Sequence, residues 1–204
     1  MNTIELFAGT GSFSKVAKEL GHKTFMTDHE EIDGQDLIED IRLIKASHFP
    51  YQPDILWASP PCEGFSVAAI GKNWTPPPEN APKTDSALRS LELVSHAWRL
   101  IDEMKPTWWF IENPRGKLRK LPIMDRAPIR HTVSYCQYGD TRMKPTDIWT
   151  NAPWWTPRPM CKNGDSCHVA APRGSQTGTQ GIKGYKDRSR IPTELFVEIF
   201  KQCG

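Results

Sequence analysis

The chain opens on Thr3-Ile4-Glu5-Leu6-Phe7-Ala8, followed at once by Gly9-Thr10-Gly11-Ser12 and a helical pattern that runs to Leu20 and stops at Gly21. Strand, glycine turn and helix in that order begin an alternating architecture. Further short apolar runs fall at Lys23 to Thr27 before Asp28, at Asp54 to Ser59 before Pro60-Pro61, and at Thr107 to Ile111 before Glu112-Asn113-Pro114. Between the last two, Leu88, Leu91, Val94, Trp98, Ile101 and Met104 recur at steps of three and four, which predicts a helix from about Ser86 to Lys105. Strands alternating with helices argue for an α/β fold, a mostly parallel sheet with helices on both faces in a Rossmann-like arrangement. At 204 residues the chain has room for one core, so a single domain spanning 1–204 is expected.

The apolar runs are far shorter than the ~20 residues that cross a bilayer, and no basic stretch precedes a long apolar core at the N-terminus. A cytoplasmic protein without a membrane partner is expected. Five cysteines, an odd number, favour free thiols, a catalytic cysteine or a metal site over a disulfide framework. The formal charge of +2 conceals a gradient: residues 1–54 carry 5 basic and 10 acidic side chains, whereas residues 113–190 carry 15 basic and 5 acidic. A basic half of this kind is what a polyanion-binding face needs.

The turn Phe7-Ala8-Gly9-Thr10-Gly11 lies where an open α/β sheet binds its ligand, at the carboxyl end of a strand. Asp28 is placed to accept hydrogen bonds from ribose hydroxyls and Asp40 from an adenine amino group, although both residues also suit turn caps. In Ser59-Pro60-Pro61-Cys62-Glu63-Gly64-Phe65-Ser66 two prolines present a cysteine rigidly, and backbone N–H groups beyond it are expected to favour its thiolate. Glu112 ends the run Trp108-Trp109-Phe110-Ile111; partly desolvated, it should have a raised pKa suited to sharing a proton with a ring nitrogen. Parallel neighbouring strands bring both residues to one rim. The proline-rich stretch from Gly71 to Thr84 is expected to be a loop, with Lys72 and Lys83 as possible phosphate contacts. Trp74 and Trp154-Trp155 are candidates for stacking on bases.

Taken in order, Glu5-Leu6-Phe7-Ala8-Gly9-Thr10-Gly11, Asp40-Ile41, Pro61-Cys62-Glu63-Gly64-Phe65-Ser66 and Glu112-Asn113 resemble the cofactor, adenine-contacting, nucleophile and Glu-Asn-Val motifs of the C5-cytosine DNA methyltransferases. Weaker resemblance continues through Gln137-Tyr138-Gly139 to Ile191-Pro192-Thr193-Glu194-Leu195. The resemblance implies S-adenosylmethionine held by Phe7, Ala8, Gly9, Thr10, Gly11, Asp28, His29, Asp40, Ile41 and Pro60. It also implies DNA as partner, a flipped cytosine, attack by Cys62 on C6 and engagement of N3 by Glu112.

The chain departs from that pattern at two places. The family's Gln-x-Arg-x-Arg motif stands here as Arg142-Met143-Lys144-Pro145-Thr146, which leaves Arg142 or Lys144 to replace the arginine expected at the cytosine carbonyl. A separate target-recognition domain has no counterpart beyond the short, basic, glycine-rich segment 157–190, so a short or relaxed recognition sequence is expected. The compact form resembles orphan enzymes of bacteriophages, acting as a monomer or weak homodimer in a host cytoplasm. An RNA or nucleotide C5-cytosine methyltransferase, and a catalytically silent DNA-binding protein, remain alternatives. No metal is assigned to the active site. Cys161, Cys167 and His168, with Cys136 or His131, form a candidate zinc set whose spacing matches no recognised zinc signature.

Overall fold

A computed structural model describes residues 1–170 and 184–203. The expected irregular segment 157–190 therefore lies partly outside the described residues; up to residue 170 it holds neither helix nor strand, whereas Tyr185–Ser189 forms a short helix against that expectation. Seven strands, β1 (Asn2–Leu6), β2 (Lys23–Asp28), β3 (Leu37–Ile38), β4 (Ile55–Ala58), β5 (Trp108–Pro114), β6 (Ile129–Ser134) and β7 (Pro145–Thr150), form one sheet in the order β3-β2-β1-β4-β5-β7-β6. β1 to β5 are mutually parallel wherever they pair, and β7 runs antiparallel to both of its neighbours. The helices are α1 (Ser12–Glu19), α2 (Ile70–Asn73), α3 (Asp85–Met104), α4 (Tyr185–Ser189) and α5 (Thr193–Cys203).

The two-residue period of the strands separates two cores. Leu56, Trp109 and Ile111 face Val94, Ala97, Trp98 and Ile101 of α3 on one side of the sheet. Ile55, Trp57 and Phe110 face Phe13 and Ala17 of α1 and Leu195, Phe196 and Ile199 of α5 on the other. Phe13 lies between the two layers, stacked on Trp57 and edge-on to Phe196. Helices thus cover both faces, as the alternating pattern predicts. α3 begins at Thr84, whose side chain accepts from the Ala87 N–H, and ends at Lys105 in the left-handed conformation. Leu88 departs from the expected apolar stripe: it is exposed, and Ala87 beside it is the residue of the first turn that α3 buries.

Position β5 differs from expectation in one consequential way. The strand does not stop before Glu112 but continues through Pro114, because β7 pairs with it along Phe110 to Pro114. Two tryptophans singled out for stacking are core residues. Trp74 is buried and donates its indole N–H to the Gly64 carbonyl, and Trp155 is buried against Phe110. Lys83 donates to the Gly71 carbonyl, so the stretch after Cys62 is tied to itself.

α1 needs an external cap, since its N-cap is Gly11 and its first turn carries no acidic residue. Glu5, buried in β1, supplies it by accepting the N–H groups of Phe13 at 3.2 Å and Ser14 at 2.9 Å. Burial, opposed by those bonds, raises the Glu5 carboxyl to about 7 from 4.5. The folded state therefore holds this proton to higher pH than the unfolded chain, and the stability it confers is present below pH 4.5 and is lost as pH rises through about 7. Denaturant titrations of Glu5→Gln across this window should show a flatter pH dependence than the parent, by roughly 3 kcal/mol over the full range. An unchanged slope would place the sensitivity elsewhere.

Candidate active site

The turn after β4 is built by close approach of backbone to α3. A Cβ on Gly64 would lie 2.4 Å from Ser90 Oγ and 2.9 Å from the Ser86 carbonyl oxygen, so only glycine fits there. The Gly64 N–H donates to Ser90 Oγ at 3.2 Å, and its carbonyl accepts from Asn73 Nδ2 at 3.2 Å and Trp74 Nε1 at 2.7 Å. Phe65 is buried and stacks on Trp74. Cys62 heads the short helical turn Glu63–Phe65 on this clamped base and is only partly exposed.

The neighbouring strand reaches the same rim. Asn113, fully buried, donates Nδ2 to the Pro60 carbonyl at 2.9 Å and so ties the end of β5 to the Pro-Pro-Cys turn. Glu112 is buried beside it and accepts the Tyr135 hydroxyl at 3.0 Å and a hydrogen bond from Ser59. Ser59 Oγ accepts the Trp57 indole N–H at 2.7 Å, which leaves its own proton for Glu112. Desolvation raises the Glu112 pKa, as the sequence leads one to expect, while the Lys144 charge and the two hydroxyl donors oppose the rise.

Lys144 sits at this rim because β7 begins at Pro145 and runs back along β5. Its ammonium lies 4.8 Å from the centre of the Tyr135 ring and donates to the Arg188 carbonyl at 2.9 Å. Burial lowers its pKa, and the Glu112 and Cys62 charges hold it up. Arg142 is placed differently. It is buried with its guanidinium engaged by Asp140 and by the carbonyls of Asp187, Arg188 and Arg190, which fastens the 140–142 turn to the chain around α4.

Cys62 departs from expectation in its electrostatics. Burial raises its pKa first and the Glu112 carboxylate adds to that, while the Lys144 charge lowers it; the net direction is upward. The thiolate is therefore not favoured by the turn alone. Tyr135, Ser59 and Asn113 carry the site's hydrogen bonds, and none of the three is a candidate site residue by sequence. For Asn113 the signal was present in the Glu112-Asn113 motif, whereas Tyr135 reaches Glu112 only through the sheet order.

The glycine turn at the end of β1 is left-handed at Phe7 (φ 57°), Gly9 (φ 55°) and Gly11 (φ 63°). Asp28 Oδ2 accepts the Gly9 N–H at 2.9 Å, and Oδ1 accepts the Glu30 N–H at 3.1 Å. His29 is exposed with Nδ1 2.9 Å from Asp28 Oδ1. Asp40 is chelated by Arg42, whose hydrogen bonds hold the carboxyl down at about 2, and Ile41 is buried behind it. Ala8 is buried, Thr10 bonds Ser12 through their hydroxyls, and Pro60 is buried at the end of β4.

The opposed effects of Glu112 and Lys144 on Cys62 can be read by following alkylation of the Cys62 peptide against pH. Glu112→Gln should move the alkylation midpoint down and Lys144→Met should move it up, with the parent above the ordinary thiol value. Midpoints that coincide in all three proteins would mean that the groups do not interact. Gly64→Ala should cost about 1–3 kcal/mol in chemical denaturation, the usual range for forced overpacking.

Residues 1–121 match the family model of the C-5 cytosine-specific DNA methylase. A curated relative described as "Probable DNA (cytosine-5)-methyltransferase", from frog virus 3, is 27% identical and is matched over the whole of both chains. Among solved structures, a protein described as a "putative DNA modification methyltransferase encoded within prophage", from E. coli, superposes with a TM-score of 0.55 at 20% identity, covering 74% of this chain and 46% of that one. The Entamoeba histolytica methyltransferase EhMeth superposes at 0.57 with 14% identity, covering 78% and 56%. At those identities the superpositions establish a shared fold, and this chain spans about half the length of the solved structures. The family match nonetheless covers more than half of this chain, and the chain belongs to the C-5 cytosine-specific DNA methylases.

Proposed function

We propose that this protein transfers a methyl group from S-adenosylmethionine to C5 of cytosine in DNA, with Cys62 as nucleophile, Glu112 as the acid at N3 and Lys144 as the cation beside them. The observation that carries the reading is the placement of these groups at one rim, where the ends of β4 and β5 are tied by Asn113 and the start of β7 pairs with β5: Glu112 and Lys144 both act on the ionisation of Cys62, and each acts on the other.

The cofactor fits the residues at the ends of β1 and β2. The missing Cβ of Gly9 would meet nothing nearer than the Phe7 carbonyl at 3.9 Å, so the turn leaves space against its backbone. Asp28 Oδ2 retains a lone pair for a ribose hydroxyl after accepting the Gly9 amide, while Oδ1 is shared by the Glu30 amide and His29 Nδ1. Asp40, kept ionised by Arg42, is an acceptor suited to an exocyclic amine. Phe7, Ala8, Thr10, Gly11, His29, Ile41 and Pro60 complete the cofactor assignment around them. When bound, S-adenosylmethionine supplies the electrophilic methyl group that an activated C5 accepts.

The protein's own residues prepare the base. Cytosine C5 is a poor nucleophile until the Cys62 sulfur bonds to C6 and pushes the C5–C6 electron pair toward C5. Glu112, buried and holding its proton above the usual carboxyl range, donates to N3 and disperses the charge this addition creates. Lys144 favours the charged forms of Cys62 and Glu112 and so takes the role of the missing family arginine, whereas the donors of Arg142 serve the 140–142 turn. Loss of the C5 proton then restores the C5–C6 double bond and expels the cysteine. A cytosine in duplex DNA must leave the stack to meet a thiol set this deep in the rim. The chain acts as a single catalytic domain, 1–204, in which the basic segment 157–190 takes the place of a separate recognition domain. End-to-end correspondence with the frog virus relative supports this compact form, and contacts chiefly to phosphates favour a short or relaxed recognition sequence.

Transfer of labelled methyl from S-adenosylmethionine to duplex DNA, RNA and dCTP tests the reading. Wild type should form 5-methylcytosine in DNA, Cys62→Ser should abolish it, Glu112→Gln should slow it about 10²–10⁴-fold, and Lys144→Met about 10²-fold. Transfer to RNA or dCTP alone would replace the substrate, and undiminished transfer by Cys62→Ser would remove the proposed nucleophile.

A further inference from the structure

Away from Cys62, four soft ligands converge where the chain after β6 meets residues 161–168. Cys136, Cys161, Cys167 and His168 place one ligand atom each within 4.8 Å of all the others. The Sγ atoms of Cys136 and Cys161 are 3.2 Å apart and those of Cys136 and Cys167 3.5 Å, while His168 Nδ1 lies 3.8 Å from Cys161 Sγ and 3.5 Å from Cys167 Sγ. All three thiols are free, and 3.2 Å is well beyond the S–S bond of about 2.05 Å. A tetrahedral ion with metal–sulfur bonds of about 2.3 Å requires edges of roughly 3.8 Å, so a small outward adjustment of these donors accommodates it.

We propose that Cys136, Cys161, Cys167 and His168 hold one zinc ion in a closed structural centre. Three thiolates and an imidazole exclude the oxygen-seeking magnesium and calcium and match the Cys₃His set of structural zinc sites. Four protein donors leave no open position, so the ion has no part in the methyl transfer. Cys136 and Cys161 are buried, Gln137 Nε2 donates to Cys167 Sγ at 3.4 Å, and the Cys161 N–H donates to Ser134 Oγ at 3.3 Å; these contacts orient the ligands from outside. His131, the other histidine considered from sequence, packs edge-on against Trp155 and stays out of the set.

The position gives the ion a function. Cys136 follows Tyr135, whose hydroxyl reaches Glu112, and just past His168 the Val169 N–H bonds the Thr141 carbonyl at 2.9 Å. The ion therefore staples residues 161–169 onto the 134–141 stretch, in a region where α-helix and strand supply no ladder to do so. The 140–144 turn that presents Lys144 is braced from that side.

The test is metal content by mass spectrometry of full-length protein expressed with Zn²⁺ and purified in reductant, together with the visible spectrum after Co²⁺ replacement. About one zinc per chain is expected in wild type, falling below about 0.2 in Cys167→Ser and His168→Ala with circular dichroism of the sheet retained. Cobalt-loaded wild type should show the intense visible and thiolate charge-transfer bands of tetrahedral sulfur ligation, a readout that holds even if the variants fail to fold. Wild-type zinc below about 0.2 per chain, zinc unchanged in the two variants, or a weak octahedral cobalt spectrum would overturn the proposal.

Discussion

The reversal of β7 is the constraint on which the site depends. Strands that all run the same way deliver only their carboxyl ends to one rim, and each connection must cross a whole layer of helix. By entering the sheet antiparallel between β5 and β6, β7 brings its first residues to that same rim, and Thr146 pairs with Pro114. Lys144 consequently meets the end of β5 without a crossover, and the same pairing extends β5 past the point where its apolar run ends. The buried carboxyl of Glu112 thus gains a cation from a segment more than thirty positions away.

Within that frame the electrostatics are a balance among three desolvated groups. A carboxyl, a thiol and an ammonium each lose solvation at the rim, and for each that loss favours the neutral form. Lys144 is the only one whose charge opposes the others, so it lowers both Cys62 and Glu112 while they hold its own proton in place. The Tyr135 and Ser59 hydroxyls add hydrogen bonds to Glu112 without adding charge. An arginine at position 144 would supply a planar fork rather than a point charge and would never lose its proton, so the lysine changes the character of the site.

Those parts of the fold built from continuous apolar runs were legible in the sequence: β1, β2, β4, most of β5, α1, α3 and α5 fall where the patterns place them. β6 and β7 were not, for a physical reason. Ile129 to Ser134 is partly solvated and interrupts its apolar residues with Arg130 and His131, while β7 opens on a proline at its start and buries Thr146, Asp147 and Thr150. β3 is only two residues long. At the site, Cys62 and Glu112 carried local signals, whereas Tyr135 and the choice between Arg142 and Lys144 depended on strand order. Trp74 misled because an indole in a proline-rich stretch reads as exposed, and its partners Gly64 and Phe65 lie about ten positions back. The cysteine cluster was half visible: three ligands sit within eight residues, but Cys136 joins them only across the fold.

The long reach of the sheet pairings sets the order in which the site is assembled during synthesis. Ile55 pairs with both Thr3 and Trp108, partners more than fifty positions away on either side, and β5 is completed only by β7. Contacts of such sequence separation form slowly, because the loops they close must be ordered before the pairing stabilises them. A nascent chain that has released β1 and β4 already contains Cys62, but not the carboxyl that raises its pKa or the ammonium that lowers it. The cysteine is thus translated well before its chemical environment exists, and its reactivity is set by one of the last strands to arrive.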